Sequence, residues 1–161
     1  MERRTFLTGA AGALTMIAGC VGSNPETPDD GPAASETPTA TPASPTITAR
    51  SLEPRQDCEE PGSATIAAAG ATVTVDGCIV GKNGCMVASL VSATYDADAD
   101  ELAVRVATRD ESDEDEACTQ QLVNRGYTVT VEFDGGLPGT TTVTHDGVDG
   151  EQQVAQSETG G

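Results

Sequence analysis

Apolar and polar residues alternate strictly in three stretches of the chain. Ala71, Val73 and Val75 alternate with Thr72 and Thr74; Leu102, Val104 and Val106 alternate with Ala103 and Arg105; Tyr127, Val129, Val131 and Phe133 alternate with Thr128, Thr130 and Glu132. A period of two sends successive side chains to opposite faces, so each stretch reads as a strand with one buried face. Met86 to Tyr95 predicts a further strand, joined to the Leu102 strand through the turn-rich run DADADE at 96–101, and Thr140 to His145 predicts another after DGGLPG at 134–139. Ser63 to Ala69 is expected to fold back onto the Val73 strand across Ala69-Gly70. Five to seven short strands of this kind predict an all-β fold, a small antiparallel β-sandwich over residues 53–148, with an immunoglobulin-like topology as one arrangement. One segment reads otherwise. Ser112 before an acidic turn, with Arg125 and Gly126 at the far end, predicts a short helix near 114–125.

The alternation is missing at both ends of the chain. Residues 23–49 hold six of the nine prolines and little that could build a core. With residue 20 as its start, the segment 20–52 reads as a Pro/Thr/Ser-rich tether. At ~3.1 Å per residue in polyproline geometry, the 27 residues of 23–49 reach at most about 80 Å. Residues 149–161 are polar, end in glycine, and are expected to be a disordered tail.

Before the tether, Arg3 and Arg4 precede a run from Phe6 to Gly19 that carries no charge, and Cys20 follows it. Fourteen helical residues cover about 21 Å, short of the ~30 Å hydrocarbon core that a spanning helix must cross. The run is therefore read as a signal and not as a permanent span. The arginine pair with a weakly apolar run resembles a twin-arginine export signal, and Ile17-Ala18-Gly19-Cys20 resembles a lipobox. This resemblance implies that residues 1–19 are removed, that Cys20 becomes a lipidated first residue, and that the protein is held at the outer face of the cell membrane by a lipid anchor. Stable attachment needs two acyl chains, since one binds only marginally.

Charge then narrows the setting. The chain has 26 acids against 8 bases, and loss of residues 1–19 leaves 25 acids against 6 bases, of which Lys82 is the only lysine. Such a surface repels itself in dilute buffer, but at molar ionic strength the Debye length falls to ~3 Å and the repulsion is screened. Joined to the export signal, acid excess with lysine depletion resembles the exported lipoproteins of haloarchaea. Nucleic acid is disfavoured as a partner, because no basic patch is available to displace counterions from phosphates. A protein or glycan of the cell envelope is the expected kind of partner.

With Cys20 assigned to lipid, Cys58, Cys78, Cys85 and Cys118 remain, an even number suited to an oxidising compartment. They allow three pairings. Cys58 with Cys78 and Cys85 with Cys118 is favoured, because Cys78 and Cys85 flank a GKNG turn from which strands diverge. The bridges are expected to be structural: only Tyr95, Tyr127 and Phe133 supply aromatic bulk to the domain. Zinc is disfavoured, since the spacings lack CxxC knuckles, and a blue-copper centre needs two histidines where this chain has His145 alone. No cofactor is expected. Asp96, Asp98 and Asp100 alternate as calcium-loop ligands do, yet positions six and twelve of that pattern are Glu101 and Ala107, so the run reads chiefly as a solvated turn with weak divalent-ion binding as its lesser reading. The acidic run 110–116 reads in the same way. No GxSxG elbow occurs and His145 has no evident nucleophile partner, so the chain is not expected to be an enzyme. The expected function is a non-catalytic binding or structural module, with an ion-binding or redox accessory protein as the alternative.

Overall fold

A computed structural model describes residues 44–113, 115 and 117–159. Arg3, Arg4, Cys20 and the segments read as signal and most of the tether lie outside the described residues. Among the described residues there are eight strands and no helix: β1 Thr46–Arg55, β2 Ser63–Ala69, β3 Thr72–Gly81, β4 Met86–Asp96, β5 Glu101–Asp110, β6 Val123–Asp134, β7 Thr140–Gly147 and β8 Gly150–Glu158. They form two four-stranded sheets, β1-β6-β3-β2 and β4-β5-β7-β8, packed as a β-sandwich.

The three alternating stretches become the centre of the fold. Val73, Val75 and Ile79 of β3, Leu102, Val104 and Val106 of β5, and Tyr127, Val129, Val131 and Phe133 of β6 are all buried between the sheets, with Val143 of β7 beside them. The interior is mostly valine, which suits a pleated surface but fills little volume per residue. The Ala69-Gly70 turn closes the β2–β3 hairpin, with Gly70 at φ +62.

All sheet pairings are antiparallel except one, since β5 and β7 run parallel. The intervening β6 crosses to the other sheet, so β7 returns beside β5 in the same direction. This order differs from the immunoglobulin arrangement, in which the first, second, fifth and fourth strands share a sheet.

Three expectations are corrected. Among the described residues of 114–125 there is no helix: Val123, Asn124 and Arg125 open β6, while Cys118 is bonded to Cys85 and the Gly84 N–H donates to the Thr119 carbonyl, which ties this segment to the turn before β4. The structured region also reaches past 53–148 on both sides. β1 begins inside the segment read as tether, because Ile47 and Leu52 dip into the core; a bulge between Ile47 and Ala49 breaks the simple alternation that would have marked it. β8 occupies the segment read as a disordered tail. Its order comes from backbone pairing with β7 and from Val154 and Ala155, which pack at the core margin, Val154 being the extra residue of another bulge.

Registers define two poles. Arg55, Gly126, Cys78 and Ser63 lie in one row across the first sheet, and Val148 N–H donates to the Val80 carbonyl at the same end. Both disulfides sit at this pole. Thr46, the 96–101 turn, the 134–139 loop and Glu158 lie at the other.

Candidate functional site

The cysteines form the bridges Cys58–Cys78 and Cys85–Cys118, the pairing favoured from the GKNG turn. Cys58 ties the β1–β2 crossover to β3, and Cys118 ties the β5–β6 crossover to the start of β4. Two such bridges belong to a chain that matures in an oxidising, extracellular-type environment. Asp110 brings a carboxylate oxygen to within 4.8 Å of Cys85 and Cys118 Sγ, but the two sulfurs are bonded to each other, so the thiolates that a soft metal requires are not presented. Asp110 has other work. It accepts from the Ser112 N–H and hydroxyl and from the Asn83 amide, which holds its carboxyl below the ordinary range.

Two carboxylates of DADADE, those of Asp96 and Asp100, are likewise occupied by the turn. Asp96 Oδ1 accepts from the N–H groups of Asp98 and Ala99, at 2.9 and 3.1 Å. Asp100, at φ +50, accepts from the Tyr95 hydroxyl at 2.7 Å and from the Gly139 N–H, and both bonds lower its acidity range. The same hydrogen bond pushes Tyr95 up to about 12. The turn is thereby stitched to the 134–139 loop, and Asp96, Asp98 and Asp100 do not converge on a common point among the described residues.

His145 proves to be a core residue. It is 4 % exposed on the inner face of β7, and its Nε2 lies 2.6 Å from the hydroxyl of Tyr127 on β6 of the opposite sheet. Burial brings the imidazole down to about 4, and it raises the Tyr127 phenol, with the Asp76 carboxylate adding to the rise. The ring is thus neutral near pH 7. Its Nε2 shares a hydrogen bond with the Tyr127 hydroxyl, while Nδ1 has no partner among the described residues, and the ring lines a cavity of about 50 Å³ together with Asp149 and Gln152. Gly77, opposite Tyr127 in register, leaves room for the phenol: a Cβ there would stand 2.2 Å from Tyr127 Oη.

The neutral imidazole has a measurable consequence. Its folded value lies below the ordinary 6.5, so its contribution is complete above pH 6.5 and is lost as pH falls from there toward 4. His145 is the only histidine, so it is the main side chain to titrate between pH 7 and 5, above most carboxylate titration. Urea unfolding is expected to show about 1–2 kcal/mol less stability at pH 5 than at pH 7. His145→Gln is expected to flatten that slope. An unchanged slope in the variant would show that other groups cause it.

Arginines supply the remaining polar architecture, and sequence periodicity gave no sign of their roles. Arg125, expected in the last turn of a helix, lies in β6 and donates to the carbonyls of Met86 at 2.6 Å, Gly84 at 2.7 Å and Gln56 at 3.2 Å. Arg50 of β1 donates to the Ala93 carbonyl of β4 at 2.6 Å, across the gap between the sheets. Arg105 joins Asp146 and Glu151 on the outer face of the second sheet.

These features define a disulfide-bridged, two-sheet β-sandwich whose polar core pair is neutral and whose turn carboxylates are engaged in local bonds. Comparison with protein-family models, with curated proteins and with solved structures finds no match to this chain.

Proposed function

We propose that the chain is an exported lipoprotein that holds this β-sandwich at the outer face of the cell membrane as a non-catalytic binding or structural module in a saline setting. The observation that carries the reading is the fate of the cysteines. Four of the five are joined in pairs within the domain, and the one left over is Cys20, at the end of the lipobox-like sequence that follows Arg3 and Arg4. The poles support it. β1 enters at the end away from both disulfides, so a stalk attached at Thr46 would leave the bridged pole facing outward. The bonding of Tyr127 to His145 inside the core, away from the surface, supports the non-catalytic reading.

Cys20→Ser is expected to move the protein from the membrane fraction to the medium or to abolish its lipid-mass increment. Full membrane retention of an unlipidated variant would overturn the anchor. Crosslinking on intact cells tests the module separately, with an envelope protein or glycan as the expected adduct.

A further inference from the structure

The mature chain holds six bases, and four of them border one seam. β1 and β4 are the edge strands of opposite sheets, and they run antiparallel alongside one another with Arg50 bonded to Ala93. Toward the bridged pole a trough opens between them. One cavity of about 210 Å³ is lined by Arg55 and Arg125, and a second of about 230 Å³ by Arg109 and Glu111. Both share a floor of Pro54, Val87 and Ala88, so the two are continuous.

The charge along this seam is only partly neutralised. Arg55 meets Asp76 at 3.2 Å and Arg109 meets Glu111. Among the described residues, Arg50 and Arg125 bond only to backbone carbonyls. A guanidinium has five N–H donors; Arg125 uses three and Arg50 one. Two unneutralised cations with spare donors beside an apolar floor stand out on a chain of net charge −18. The backbone adds a direction. Met86 and Ala93 turn their carbonyls away from β5 to meet the arginines, and the two-residue period turns the backbone groups of Ala88 the same way, into the trough. Pro54, facing them from β1, has no N–H to offer.

We infer that this seam is a docking site for an extended, carboxylate-rich segment of a partner protein. Its backbone lies along the outward edge of β4, and its aspartate or glutamate side chains take the spare donors of Arg50 and Arg125. Val87 to Leu90 span about 10 Å, alongside which some four residues of extended chain can lie. The elongated shape, apolar floor and strand edge fit a peptide better than a compact phosphate. Guanidinium–carboxylate bonds act at contact distance, where screening at molar salt is least effective.

This inference rests on the binding-module reading. Its test uses the full mature protein in about 1 M salt, where the Debye length is ~3 Å, with a fluorescent Glu-Val-Glu-Val-Glu-Val peptide as the probe. Binding is expected by anisotropy, with its glutamine counterpart failing to bind. Arg50→Gln with Arg125→Gln is expected to weaken binding about tenfold or more, while Arg105→Gln, on the outer face of the second sheet, leaves it unchanged. Equal losses in both variants, or displacement by inorganic phosphate as efficient as by unlabelled peptide, would overturn the site. So would a sedimentation-detected dimer that Arg50→Gln dissolves, since a second copy would then be the occupant. If the peptide fails while crosslinking on cells still captures a partner, the seam is refuted and the module stands; if both fail, both fall.

Discussion

Replacing Gly77 by alanine lowers the melting temperature of the domain by about 10 °C or more, roughly 3 kcal/mol for a domain of this size. The added Cβ would meet Tyr127 at Oη 2.2 Å, Cζ 2.3 Å and Cε1 2.7 Å. The phenol cannot simply rotate aside, because its residue is fully buried and its hydroxyl is bonded to His145 across the sheets. Overpacking a core costs about 1–3 kcal/mol, and breaking the buried bond leaves two polar groups unpaired at about 1–3 kcal/mol more. Gly70→Ala is the comparison. It has a positive φ of 62 but open space around the new methyl, so its cost is backbone strain of about 1 kcal/mol. Thermal melts of the two variants decide the matter: equal losses would mean that Tyr127 moves freely and that the interior is looser than its burial implies.

Loss of the Cys85–Cys118 bridge is expected to cost about 3–4 kcal/mol, as estimated from chain entropy for a closed loop of this length. The bridge joins positions 33 apart in sequence, and Cys58–Cys78 joins positions 20 apart, with a slightly smaller expected cost. The double variant Cys85→Ala, Cys118→Ala is the informative one, since it leaves no unpaired thiol. Its effect should exceed simple loop entropy in one respect. The Gly84–Thr119 backbone bond and the Arg125 bond to Gly84 depend on the same segment being held in place, so hydrogen exchange at Gly84 should accelerate along with global destabilisation. Urea midpoints equal to those of the native chain would show that packing alone secures this pole.

The sandwich was legible because β3, β5 and β6 bury one face each and therefore alternate with a strict period of two. β1 and β8 escaped for the opposite reason: each touches the core with two residues, and each alternation is interrupted by a bulge, so neither builds a period. The acidic segment before Cys118 carried helix-end chemistry at Ser112 and Arg125, yet the covalent tie to Cys85 and the bonds from Arg125 to three carbonyls outweigh local preference. The favoured cysteine pairing was readable from a turn that separates two of the four thiols. The meeting of Tyr127 with His145 was not, since it joins strands of different sheets and depends on how those sheets are stacked. The same holds for the seam: Arg50, Arg55, Arg109 and Arg125 are scattered in sequence, and only the adjacency of two strand edges collects them.

The direction of β1 bears on how such a module would withstand traction. Thr46 opens the strand at one pole, and the strand runs from there to Arg55 in register with β6 through nine residue pairs. A pull applied through the leash at Thr46, against a body gripped near the opposite pole, acts lengthwise on β1. It shears those pairs together instead of unzipping them one by one, so a strand that touches the core with only two residues is placed in the geometry that resists tension best.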